Sequence, residues 1–101
     1  MNFKNLNPII AHQVREDTLL KALHSETPVL FICESERDSK LVIRAGVSGV
    51  TESPEGFVFE FYLADFGKEY MFQGLLQGHE IEFFINERLV KMIEGNKKSN
   101  R

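Results

Sequence analysis

Between Phe57 and Phe84 the chain alternates apolar and polar positions at a period of two, and nine of its eleven aromatic residues lie in that stretch. Such alternation specifies strands with one apolar face and one different face. The turns fix the register. With Asp65-Phe66-Gly67-Lys68 as a four-residue loop, Leu63 stands opposite Tyr70, Phe61 opposite Phe72, Phe59 opposite Gly74 and Phe57 opposite Leu76. With Gly78-His79 as a two-residue loop of type II′, Leu76 meets Ile81, Gly74 meets Phe83 and Phe72 meets Ile85. Both hairpins demand the same apolar layer. A one-residue slip would put Glu60, Gln73 or Glu82 into it, which the cost of burying a polar group forbids.

Upstream, Val29–Glu34 and Lys40–Val50 read as two further strands joined by the polar turn Ser35–Ser39, with Gly46 and Gly49 marking a bulge or bend. Ser53-Pro54-Glu55-Gly56 has turn chemistry, and the next strand runs from Phe57 to Ala64. The segment Asn7–Ser25 begins with a helix-start signature, Asn7 then Pro8, but carries two apolar faces. Ile9, Ile10 and Val14 share one; Leu19, Leu20 and Leu23 share another. The expectation is a helical region broken near Asp17, with an extended Ile9–Val14 as the alternative. Pro28 closes it. For Glu87–Glu94 the reading leans to a short helix capped by Asn86, with Leu89, Val90 and Ile93 on one face, over a sixth strand.

The expected fold is therefore α+β: an N-terminal helix packed on a curved antiparallel five-stranded meander, a roll or partly open barrel, with a short C-terminal helix. Short turns exclude parallel neighbours, which need long crossovers. Residues 1–95 are expected to form a single globular domain, and 96–101 a flexible polar tail.

Behind the apolar layer lies a mixed face: Val58, Glu60 and Tyr62, then Met71, Gln73 and Leu75, then Glu82 and Phe84. A solvated face would not hold so many large apolar residues, and a sealed core would not hold two carboxylates and an amide. These eight residues are the candidate binding site. The first expectation is a protein interface, a homodimer in particular. Coverage by the chain's own termini is the second, leaving Glu60 and Glu82 as rim charges paired with Arg44 or a lysine. A small-molecule pocket or enzyme site on the concave sheet face is the third.

Composition narrows the chemistry. With 101 residues, 43% of them hydrophobic and 27% charged, the chain matches an ordinary folded domain. A net charge of −3 with interspersed signs argues against nucleic acid. Alternating aromatics in Gly56–Tyr62 are a stacking pattern, but Glu55 and Glu60 put acid where a phosphate backbone would run. Cys33, the sole cysteine, sits in the apolar run Val29–Cys33 and reads as a buried hydrophobe. His12, His24 and His79 lack metal-site spacing, so no metal or cofactor is expected. Glu60 and Glu82 as an acid–base pair, and Ser48 as a nucleophile in Gly-Val-Ser-Gly, lack the context those chemistries need. No secretory signal or membrane-spanning run is present, and the expected location is the cytoplasm. The sequence thus points to a non-enzymatic binding or regulatory protein, with its partner unspecified.

Overall fold

The interior of the molecule is built from the phenylalanine ladder. Phe59, Phe61 and Phe83 are fully buried, and Phe61 sits against the rings of Phe31, Phe59, Phe72 and Phe83 at centroid separations of 5.4 to 6.2 Å. A computed structural model describes residues 9–35 and 40–99. Its elements are β1 (Ile9–His12), α1 (Glu16–Ser25), β2 (Val29–Cys33), β3 (Leu41–Ser53), β4 (Gly56–Leu63), β5 (Met71–Gln77), β6 (Glu80–Phe84) and α2 (Glu87–Ser99).

All six strands form one antiparallel sheet in the order β1-β6-β5-β4-β3-β2. The sheet curls until its two edges meet: Ile10 N–H donates to Glu34 O at 3.0 Å and Glu34 N–H donates to Ile10 O at 2.8 Å. The fold is therefore α+β, with a nearly closed barrel and two helices. Closure leaves the ladder on the concave side, where it fills the barrel with Ile9, Leu41, Ile43, Leu63, Ile81 and their neighbours.

The central register matches the turn chemistry. Phe57 pairs with Leu76, Phe59 with Gly74 and Phe61 with Phe72, then Gly74 with Phe83 and Leu76 with Ile81. Gly78 adopts φ 61° while His79 does not enter the positive region, the combination a type II′ turn requires. Pairing stops at Gln73 and Phe84, one step before the expected Phe72 and Ile85. The bulge in β3 falls between Val47 and Gly49, where Ser48 Oγ donates to Glu60 O at 3.2 Å.

Two expectations need correction. The sheet has six strands, not five, because Ile9–His12 is extended and pairs with β6 through Ile9 and Phe83, Ala11 and Ile81. Ala11 explains the error. Ile9 and Ala11 are buried while Ile10 and His12 turn outward, a period-two pattern that is hard to see when the second inward residue is only a methyl group. Gln13, at φ 59°, ends the strand, and the helix begins only at Glu16, after an Arg15 N-cap with no side-chain bond. Glu16 and Asp17 supply negative charge in the first turn, and the Arg15 hydrogen bond holds the Asp17 carboxyl below its ordinary range. The Asn7-Pro8 start signature lies outside the described residues.

The second correction concerns the C-terminus. Asn86 caps α2, its Oδ1 accepting from Leu89 N–H at 2.8 Å, and Leu89, Val90 and Ile93 are buried as the apolar face predicts. The helix does not stop at Gly95 but runs to Ser99, through most of the expected polar tail. Asn100 and Arg101 lie outside the described residues, as do Glu36–Ser39 of the expected polar turn.

Candidate functional site

Barrel closure decides which way the mixed face points: it is the outer, convex wall. Register places its eight residues in three cross-strand rows. Val58, Leu75 and Glu82 form one, continued by Ile10 of β1; Glu60, Gln73 and Phe84 form the second; Tyr62 and Met71 form the third, beside Gly46. Met71 and Phe84 stand 51% and 47% exposed, and Gln73 is exposed between them. Val58, Glu60, Tyr62, Leu75 and Glu82 are half-buried.

This arrangement bears on the three readings of that face. The concave side carries the buried ladder, and the eight residues face away from it. Among the described residues, β1 joins the sheet edge and α2 buries its apolar face in the core cluster, and Met71 and Phe84 stay exposed. Of the cations expected to pair with the rim glutamates, Arg44 is engaged elsewhere, its Nη1 lying 2.7 Å from Asp65 Oδ1. An exposed, convex, partly apolar surface remains.

The two carboxylates are not cross-strand neighbours. Glu60 and Glu82 sit in different rows on strands separated by β5, which places their backbones about 12 Å apart at ordinary strand spacing. Tyr62 reaches a groove of about 340 Å³ with Leu23, Glu26, Val47, Ser48, Lys68 and Met71, but neither Glu60 nor Gln73 lines it. Its polar lining comes instead from Glu26, Ser48 and Lys68 beside Tyr62.

A second surface escaped the sequence reading. Leu30 and Ile32 of β2 are 61% and 59% exposed, more than Met71 or Phe84 of the mixed face. Leu30 also borders a groove of about 330 Å³ with Val42, Leu63, Phe66 and Ile93, whose rim carries the Arg44–Asp65 ion pair. The signal was in Val29-Leu30-Phe31-Ile32-Cys33, a strand apolar at every position. One wall of a barrel needs only alternate apolar residues, so the run contains two more than the core uses. Phe31 and Cys33 turn inward; Leu30 and Ile32 do not.

Other candidate groups have structural roles. Burial pushes the Cys33 thiol up to about 12, which leaves it a poor nucleophile. His79 occupies the β5–β6 turn, and His24 the last turn of α1. His12 lies between two carboxylates, Nε2 at 3.2 Å from Glu34 and Nδ1 at 3.0 Å from Glu80, so its nitrogens face opposite ways rather than one shared ion. Among the described residues no group of three or more His, Cys, Asp or Glu is arranged to hold a metal, and no helix is long and apolar enough to cross a membrane. No family model, curated protein or solved structure matches the chain.

Proposed function

We propose that this chain is a non-enzymatic, cytoplasmic protein-binding module that acts through the outer wall of its barrel, with a second copy of itself on the mixed face. One observation carries the reading: the phenylalanine ladder is buried in the interior while Met71 and Phe84 stand exposed on the wall. Exposed apolar side chains of this size on a small domain mark association surfaces. Gln73 supports self-pairing, because its amide offers donors to a partner's Glu60 carboxylate, and none of the eight residues of the face is itself a cation. The lone, buried Cys33 suits a reducing compartment.

Sedimentation of the wild type against Phe84→Asp tests it. A concentration-dependent dimer that Phe84→Asp dissociates supports the reading, and a monomer in both cases overturns it.

A further inference from the structure

Among the described residues the backbones of β1 and β2 are bonded only where Ile10 meets Glu34, and toward Leu30 the wall is split. Glu34 turns its N–H and C=O toward β1. In an antiparallel strand these groups alternate sides, so Ile32 and Leu30 turn theirs the same way, while Val29, Phe31 and Cys33 turn toward β3. Among the described residues no backbone group meets those of Leu30 and Ile32. Across the split lie Gln13, Val14, Arg15, Thr18 and Leu19, leaving a cleft of about 310 Å³ along the β2 edge. That volume is at the lower end for a ligand cleft.

We propose that this cleft binds a short extended apolar peptide from a partner protein, added as a strand to the β2 edge. Two residues with unpaired donors and acceptors at alternate positions define a strand template, and the natural complement is another extended backbone. Leu30 and Ile32 flank those groups with exposed apolar side chains, so the added strand needs apolar residues on the outward side. Leu30 continues the surface into the neighbouring groove floored by Leu63, Phe66 and Ile93, where a further apolar side chain fits.

The cleft's shape selects a peptide over a second barrel. Its far wall is the start of α1, with Arg15, Thr18 and Leu19 lining it opposite Leu30 and Ile32, so an occupant of the β2 edge has to fit between helix and strand, as a single extended chain does. Pro28 and Glu34 set the length. Pro28 occupies the same side of the alternation as Leu30 but has no N–H, and Glu34 is already bonded to Ile10. Pairing is confined to Leu30 and Ile32. The site lies apart from the mixed face and does not depend on dimerisation.

Amide exchange of the intact chain tests the proposal, using a blocked heptapeptide alternating valine and threonine with a lysine at each end. The expected result is a slowing of the Leu30 and Ile32 amides by about tenfold or more at about 1 mM peptide, and no slowing by the same peptide N-methylated at the amides that would pair. Equal effects of the two peptides would overturn strand addition, as would no effect of either. Slow exchange of both amides without peptide, rising with protein concentration, would show the edge already paired with a second copy and overturn the proposal as well. Because every comparison is made in the unaltered protein, no outcome depends on a variant's ability to fold.

Discussion

Tyr62 occupies the space that a side chain at Gly46 would need: the two residues are paired across β3 and β4, and a Cβ on Gly46 would run into Cζ and Oη of the Tyr62 ring. Gly46 does not have a positive φ, so its backbone suits any residue and the constraint is steric alone. Gly46→Ala should therefore destabilise the fold by about 1–3 kcal/mol by displacing the ring. In a Tyr62→Ala background the same change should cost nothing measurable or stabilise, since alanine suits a strand better than glycine. Urea denaturation of the double-mutant cycle measures the coupling. Additive effects would show that the ring does not rest on Gly46.

This pairing also bears on function. Of the two aromatic residues that face outward in the β4–β6 hairpins, Tyr62 is held against its own sheet and half-buried, whereas Phe84 is not. Phe84 is the stronger contact candidate.

Substitutions should divide along the same inside–outside line. Phe61, fully buried among four other rings, is expected to lose about 3–5 kcal/mol on replacement by alanine. Phe84→Ala and Leu30→Ala, on the wall, should each change monomer stability by no more than about 0.5 kcal/mol. Thermal unfolding at a concentration low enough to exclude association checks both. A large loss at Phe84 under those conditions would mean that it supports the fold rather than a partner.

What could be read from the sequence depended on how many constraints met at one residue. For Phe61 and Gly74, two turns and an alternating pattern gave the same register, and a slip would have buried Glu60 or Gln73. For Ile9–His12 only one large residue points inward, with Ala11 as the other, so the pattern fitted a helix as well as a strand. The strand is decided by β6, a neighbour some seventy residues away in sequence. The same long-range step closes the barrel and turns the mixed face outward. Local pattern recognised two faces of a sheet but did not say which was concave. The β2 edge was hidden for a related reason: a uniformly apolar run is ordinary in a strand buried on both sides, and only barrel closure shows that Leu30 and Ile32 have nothing over them among the described residues.

Asn86 carries the start of α2. Its Oδ1 accepts the Leu89 N–H, a donor that has no helical partner at this position, so Asn86→Ala should cost about 1 kcal/mol, and Asn86→Asp or Ser should retain most of it. The measurement is urea denaturation together with exchange at Leu89, whose amide should lose protection in the alanine variant. Because Leu89, Val90 and Ile93 hold α2 against the core, an effect confined to the helix terminus would indicate that the packing survives without the cap.

Cys33 should make stability fall in alkaline solution. Burial raises its thiol from an ordinary 9.0 to about 12 in the folded chain, so below pH 9 both states hold the proton and Cys33 adds no pH dependence. Above pH 9 the unfolded chain releases a proton that the folded chain retains, and the unfolded state gains about 1.4 kcal/mol per pH unit until the folded thiol also ionises near 12. Comparing urea denaturation at pH 8 and pH 10 for the wild type and Cys33→Ala isolates the effect, since tyrosine and lysine titrations are common to both. The wild type should lose about 1.4 kcal/mol more than the variant over that interval. Cys33→Ala also opens a small cavity, but this lowers stability equally at the two pH values and leaves the difference intact. Alkylation of native protein by iodoacetamide should likewise be limited by opening of the barrel, and rapid modification at pH 8 would place the thiol at the surface instead.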